Sequence, residues 1–187
     1  MSVSTRDALL KSAEVHLRTK GYAAFSYADL SEEIGIRKAS IHHHFPTKEK
    51  LGEVLIQQYI ELFTEKLKSL EDAHADPVER LREFSLLFQA SVNAHLLPLC
   101  GALAAEMAAL PESLRILGRS LLTQQLEWIE KCLLQAAQLH GWTLPKPAGD
   151  YARMLLSALE GASFIDWAVG PSADPLAAFN HILDTLA

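Results

Sequence analysis

The sequence predicts an all-α fold, and three observations support that prediction. Glycine and proline are sparse, at 9 and 8 of 187 residues. No stretch alternates β-branched and polar residues in the manner of a half-buried strand. Apolar residues instead recur at helical spacing between capping residues and glycine or proline stops. We therefore expect about nine helices around a real core, because a chain of this size buries roughly 70% of its unfolded surface.

The first three predicted helices are short and closely spaced, over about 4–20, 26–34 and 37–45. Each begins at a residue that can cap free N–H groups or ends at one that cannot continue a helix. The caps are Ser4 and Ser26, and the stops are Gly21, Gly35 and Pro46. Together they predict a three-helix domain at the N-terminus.

Six further helices are predicted, and they form an antiparallel helical domain. Thr47 caps a long fourth helix, and Asp76 followed by Pro77 is a strong helix start. Pro98 is expected to break the fifth helix. The predicted spans of the last four are 101–110, 112–140, 151–169 and 175–186.

Charge divides the chain in two. The whole sequence has 17 Lys+Arg and 23 Asp+Glu, a net charge of −6, which argues against nucleic acid as a partner. Residues 1–50, however, hold 8 basic and 6 acidic residues, a net of +2, whereas 51–187 hold 9 and 17, a net of −8. We therefore predict one domain over 1–50 and a second over 51–187 with different partners.

Several protein classes are not expected. The two cysteines, Cys100 and Cys132, make no disulfide framework and no C-x-x-C pair. The first seven residues have no apolar core, and the least polar run, 96–105, is too short and too interrupted to span a membrane. We expect a cytoplasmic protein with no membrane partner. No nucleophile with its base and no phosphate-binding glycine loop is visible, so neither an enzyme nor a cofactor is expected.

Residues 26–45 have the pattern of a helix-turn-helix. Two short helices meet at Gly35, and the small Ser31 one turn earlier permits a close crossing. Ile41 and Phe45 lie one turn apart and are expected to face the same core. The outer face of the second helix has hydrogen-bond donors and no carboxylate, which suits the major groove of DNA.

The sequence of this segment also resembles that of a known protein family. The relevant residues are Gly21-Tyr22, Ser26-Tyr27-Ala28-Asp29-Leu30, Ile34-Gly35-Ile36 and the run from Arg37 to Leu51, which reads RKASIHHHFPTKEKL. Over about residues 5–55 they resemble the DNA-binding domain of the tetracycline-repressor (TetR) family. The order, the spacing and the long helix that follows make this resemblance specific. Beyond residue 55 only the number of helices and the total length match.

The resemblance implies a set of DNA contacts. Ser26, Tyr27 and Lys48 match positions that contact phosphate, and the leading turn of the recognition helix reads base edges. Arg37 stands where a serine cap is common in the family. His42 stands where tyrosine is usual and His43 where tyrosine or histidine is usual, so the preferred operator cannot be carried over. The full predicted set is Ser26, Tyr27, Arg37, Lys38, Ala39, Ser40, His42, His43 and Lys48. No metal site is expected at the three consecutive histidines, because neighbours on a helix point about 100° apart.

The last two predicted helices are expected to form a dimer interface, since one recognition helix reads only a half-site. Small residues near Gly161 permit close approach, and in the resembled family this helix pair packs against its mate as a four-helix interface. Internal packing is the alternative. The predicted interface residues are Leu155, Ala158, Leu159, Ala162, Ile165, Phe179, Ile182 and Leu186.

A small-molecule effector site is predicted in the second domain. Its candidate residues are Phe84, Phe88, His95, Cys100, Glu106, Met107, Trp128 and Phe164, with Met154 and Trp167 as further apolar candidates. For each apolar candidate taken alone, plain core is the favoured alternative, because any bundle shows apolar residues at this spacing. Glu106 interrupts an apolar run and is expected either to face solvent or to anchor a ligand.

The sequence therefore predicts a homodimeric DNA-binding regulator. We expect a repressor that a small effector releases from a palindromic operator. Two alternatives stay open: a repressor switched by the thiol of Cys100, which lies near His95 in sequence, and a ligand-independent DNA-organising protein whose cavity is filled by side chains.

Overall fold

A computed structural model describes residues 4–186, which form nine α-helices and no strand. The all-α prediction is confirmed. The helices are α1 (Thr5–Lys20), α2 (Tyr27–Ile34), α3 (Lys38–His44), α4 (Lys48–Ala73), α5 (Pro77–Asn93), α6 (Leu99–Ala105), α7 (Glu112–His140), α8 (Ala148–Val169) and α9 (Ala177–Asp184). Residues 1–3, on which the expected lack of a signal peptide partly rests, lie outside the described residues.

The predicted helix caps are present. The Ser4 hydroxyl accepts the Asp7 N–H, and Ser26 forms a reciprocal capping box with Asp29. The Asp76 carboxylate accepts the Val78 N–H. These bonds satisfy N–H groups that have no partner within the helix, which explains why the helices begin where they do.

The end of α5 differs from the sequence prediction, which placed the break at Pro98. The helix ends at Asn93, because His95 adopts a left-handed conformation with φ of 54°. The Leu96 N–H then bonds back to the Ser91 carbonyl and closes the helix end. Histidine is among the few non-glycine residues that tolerate this conformation.

The span of α6 also differs from the prediction of 101–110. The helix ends at Ala105, and the next four residues form turns. Glu106 and Met107 therefore lie in the connection to α7 and not on a helix.

The chain divides into two compact units. One contains the chain through Leu62 together with Leu99–Ser120, so it extends beyond the predicted first domain. In this unit α1 packs against α2 and α6, and α2 packs against α3. Its core is built from fully buried side chains, namely Leu9, Leu17, Leu30, Ile41, Phe45 and Leu51.

The other unit contains Phe63–Pro98 and the chain from Leu121 onward, in which α8 packs against α5 and α9. Phe84 is fully buried at its centre and stacks on Trp128, with ring centroids 5.3 Å apart. Among the helices of residues 4–186, none combines the length and apolar character needed to cross a membrane.

Replacing Phe84 by alanine should lower the free energy of unfolding by about 3–5 kcal/mol, because the cavity left behind is enclosed by packed rings. Leu86→Ala on the same helix is the matched control. Leu86 is 41% exposed, and its replacement should change stability by under about 0.5 kcal/mol. Urea unfolding followed by circular dichroism measures both, and equal midpoints would contradict the prediction.

Candidate nucleic-acid interface

The α2–α3 motif is fixed by a few specific contacts. Gly35 takes the left-handed conformation, with φ of 74°, and its N–H bonds to the Ser31 carbonyl. The Ser31 hydroxyl donates to the Ile36 carbonyl across the turn. Leu30 and Ile41 are completely buried and hold the two helices together. The angle between α2 and α3 is therefore set by packing and by hydrogen bonds, as the sequence predicted.

The outer face of α3 presents a group of exposed donors. The predicted contact residues Arg37, Lys38, Ala39, Ser40, His42 and His43 are all exposed. Within residues 4–186, the side chains of Arg37, Lys38 and Ser40 make no hydrogen bond or ion pair. The His42 ring lies 5.0 Å from the Tyr27 ring, edge to face. Its Nδ1 also lies 3.2 Å from the Pro46 carbonyl oxygen. Through Arg37, Lys38 and Ser40, this face can therefore offer positive charge and hydrogen-bond donors to a partner without breaking internal contacts.

Ser26 and Tyr27 use their side chains within the protein. The Ser26 hydroxyl donates to the Asp29 carboxylate and accepts the Ala28 N–H. The Tyr27 hydroxyl donates to the Phe45 carbonyl at 2.8 Å, and burial raises the pKa of this phenol to about 12. Both side chains fix α2 in place, and the phosphate contacts expected of them stay predictions.

Lys48, at the start of α4, is also engaged internally. Its ammonium donates to the carbonyls of Tyr22 and Phe25 and lies 4.4 Å from the centroids of both rings. Burial lowers the pKa of Lys48, and the nearby carboxylates of Glu106 and Asp29 act in the opposite direction. Because an ammonium has three donors, one remains for the predicted phosphate contact.

Glu106 has a role that the sequence prediction missed. Its carboxylate accepts the N–H groups of Tyr22 and Ala23 in the turn between α1 and α2. A Cβ atom on Gly21 would lie only 2.6 Å from Glu106 Oε1, so a side chain at this position would displace the carboxylate, and the φ of 90° also favours glycine. Glu106 therefore binds the backbone of the turn, a role that neither expectation included, and it does not line the cavity described below. In the sequence, the one indication of this role was that Glu106 is a single carboxylate within an otherwise apolar run.

The other predicted effector residues do not form one site. Phe84, Phe88 and Trp128 pack against each other in the core of the second unit, where they fill space instead of lining it. Cys100 is only 3% exposed and belongs to the first unit together with Met107. Phe164 lies on α8 and is partly exposed. Of the eight, His95 alone lines the cavity described next.

A cavity of about 730 Å³ lies within the second unit, between the C-terminal ends of α5 and α8. Its walls include His95, Leu96, Ser163, Asp166, Trp167 and Pro171. The sequence prediction missed Ser163 and Asp166. Both continue the buried stripe of α8 at helical spacing from Leu159, so a carboxylate on a core-facing stripe was the signal that could have found them.

The predicted dimer residues differ in how exposed they are within one protomer. Leu155, Leu159 and Phe179 are at most 1% exposed because they fill the core of their own protomer, which corrects their assignment to an interface. Ile165 is 61% exposed, and the remaining four are partly exposed. The apolar surface of α8 instead includes Met154, Ile165 and Val169.

The fold and the acid-free α3 face define a helix-turn-helix protein of the DNA-binding class. Comparison with known proteins agrees. Residues 9–55 match the family model described as bacterial regulatory proteins, tetR family. The crystal structure of a TetR-family transcriptional regulator from Agrobacterium tumefaciens superposes with a TM-score of 0.88 at 30% identity, covering 97% of both chains. The chain belongs to the TetR family.

Two curated relatives indicate what members similar to this chain do. The transcriptional repressor KstR2 of Mycobacterium tuberculosis is 31% identical over 91 residues, which are 49% of this chain and 44% of KstR2. The match therefore spans less than half of that relative. The nucleoid occlusion factor SlmA of Vibrio cholerae is 25% identical over 165 residues, covering 86% of this chain and 82% of SlmA.

Replacing Glu106 by alanine should lower the free energy of unfolding by about 1–3 kcal/mol, because the Tyr22 N–H is buried and would lose its acceptor. Glu32→Ala is the control, since Glu32 is an exposed residue of α2 in the same unit. Thermal and urea unfolding measure the change. An unchanged midpoint for Glu106→Ala would show that water replaces the carboxylate without cost.

Proposed function

We propose that this chain is a homodimeric transcriptional repressor that binds a palindromic DNA operator through α3 and leaves it when a small effector binds. The observation that carries the proposal is the outer face of α3, where Arg37, Lys38 and Ser40 are exposed and free of internal partners. The face has no carboxylate, and the motif that presents it is rigidly packed. Membership of the TetR family supports the same reading.

The DNA contacts follow from the chemistry of that face. Arg37 and Lys38 supply positive charge and bidentate or single donors for guanine edges and phosphates, while Ser40 supplies a hydroxyl. The exposed rings of His42 and His43 add further hydrogen-bond donors. Because residues 1–50 have a net charge of only +2, affinity depends on these placed groups, doubled in the dimer.

The surface of α8 supports the homodimer. Ile165 and Val169 are 61% and 81% exposed, although both are large and apolar. A Cβ atom on Gly161 would meet nothing within 4 Å, so the protomer itself does not require glycine there. Glycine within a helix costs about 1 kcal/mol relative to alanine, and close approach of a second helix gives it a use.

The effector part of the proposal rests on the cavity in the second unit. Its volume of about 730 Å³ lies within the usual range for small-molecule sites. In the dimer, each protomer would place its α3 helix on one half of the operator. A ligand that binds more tightly when these two helices are wrongly spaced for the operator would favour that state of the dimer, and DNA would be released.

A second candidate function is a DNA-organising protein that needs no ligand. The similarity to the nucleoid occlusion factor SlmA, over most of both chains, is the observation that favours it. The two candidates share DNA binding and differ in whether an occupant of the cavity changes it. No observation favours the thiol switch, because Cys100 is buried.

Lys38→Ala should weaken binding to DNA from the region upstream of the gene by about tenfold or more. It should also reduce the slope of log affinity against log salt by about two, one for each protomer. Fluorescence anisotropy over a range of salt concentrations measures both quantities. Lys11→Ala, an exposed lysine of α1, is the control and should change neither. Absence of sequence-selective binding by the unmodified protein at moderate salt would overturn the proposed function itself.

Ile165→Asp should raise the dimer dissociation constant by more than about 100-fold, because the charge would be buried without a partner. Leu139→Asp on α7 is a matched control, since both side chains are 61% exposed. Sedimentation velocity at several concentrations distinguishes monomer from dimer. Dimerisation that survives Ile165→Asp but not Leu139→Asp would move the interface to α7.

A further inference from the structure

The cavity of the second unit continues the core-facing side of α8. Ser163, Asp166, Trp167 and Gly170 line it and follow one another at positions i, i+3, i+4 and i+7. They extend the stripe that buries Leu155, Leu156 and Leu159 further back along the helix. Ile165 and Val169, on which the dimer proposal rests, point away from this stripe. A ligand in the cavity would therefore not compete with a second protomer for the exposed apolar face of α8.

Asp166 places a negative charge in this cavity without a cation to balance it. The residue is 7% exposed, and its carboxylate accepts only the Ser172 N–H at 3.1 Å and the Ser172 hydroxyl at 3.3 Å. Among residues 4–186, no Lys, Arg or His nitrogen lies within 4 Å of it. A buried carboxylate with neutral partners alone remains poorly compensated and attracts a positive group.

The two helices that flank the cavity add to this negative potential. Asp166 lies in the last turn of α8, which ends at Val169, and the cavity is also lined by Val92 and Asn93 at the end of α5. A helix C-terminus carries a partial negative charge and disfavours a carboxylate nearby. Both helix ends and Asp166 therefore make the electrostatic potential of the cavity more negative. His95 is the other titratable group of the lining, and it is exposed.

The remaining walls suit an apolar body. Val92, Leu96 and Pro171 contribute aliphatic surface. Trp167 is 45% exposed and adds an aromatic ring, a group that attracts cations, to the lining. We propose that this cavity binds an organic cation, an amine or quaternary centre on an apolar body, with Asp166 as its counter-ion and Trp167 as its aromatic wall. The identification of this cation as the effector rests on the proposed function, whereas the binding site itself does not.

The test uses two probes of matched shape and apolar area but opposite charge, tetraphenylphosphonium and tetraphenylborate. Isothermal titration calorimetry on the full chain at pH 8 should show one phosphonium site per protomer and at least tenfold weaker binding of the borate. Equal binding of both ions, or no binding of the cation at millimolar concentration, would overturn the proposal.

Two variants locate the site. Asp166→Asn keeps an oxygen for the Ser172 N–H and should weaken phosphonium binding by about tenfold or more, while Asp72→Asn, at an exposed position of α4, should leave it unchanged. If Asp166→Asn does not fold, Trp167→Leu replaces it as the test and should weaken binding several-fold. Unchanged binding in a folded variant would place the cation elsewhere and refute the assignment.

The operator experiment keeps this inference separate from the proposed function. Phosphonium binding in a protein that lacks sequence-selective DNA binding would support the site and overturn the repressor. DNA binding without phosphonium binding would support the repressor and overturn the cation site. Where both occur, saturating phosphonium should lower operator affinity at least fivefold in the unmodified protein and not in Asp166→Asn. An unchanged affinity would refute the effector role while leaving the site intact.

Discussion

The turn between α1 and α2 is held by a carboxylate and an ammonium, which bind opposite sides of the Tyr22 backbone. The orientation of the α2–α3 motif depends on this turn. The N–H of Tyr22 is bound by the Glu106 carboxylate and its carbonyl by the Lys48 ammonium. Three segments that are distant in sequence meet there: the turn itself, the start of α4 and the connection after α6. Charge-assisted hydrogen bonds are roughly twice as strong as neutral ones, so this turn is held more firmly than an ordinary loop. Because α2 follows the turn directly, the direction in which α3 presents its donors is set from the same point.

This arrangement separates the basic groups of the first unit into two kinds. Lys48 balances Glu106 and the carbonyls around it, so much of its charge is used within the protein. Arg37 and Lys38 have no such partner among the described residues and remain available for phosphates and bases. The small net charge of residues 1–50 is therefore less informative than the positions of a few side chains. We therefore expect weak non-specific attraction to DNA, with specific contacts supplying a larger share of the proposed affinity.

The features that could be predicted from sequence are those whose cause is local. Ser26 caps α2 because Asp29 is three residues away, and Gly35 ends it because only glycine adopts that turn without strain. The role of Glu106 could not be predicted, since its partners are backbone N–H groups 83 and 84 residues earlier in the chain. The sequence leaves Phe84 and Trp128 as candidates for both the core and a cavity, because a core-filling ring and a cavity-lining ring have the same helical spacing. Only the packing of the two rings against each other distinguishes the two cases.

The cavity is what separates a ligand-responsive regulator from a protein that only organises DNA. Both need the donor face of α3, and both are compatible with a dimer through α8. A protein without a ligand would gain stability by filling the space between α5 and α8 with apolar side chains and by replacing Asp166, because a buried carboxylate without a cation is unfavourable. The chain instead keeps an open volume of about 730 Å³, an exposed indole and an uncompensated carboxylate on one stripe. Such a combination is costly for folding alone and becomes favourable when a cation occupies it, and this difference favours the ligand-responsive function.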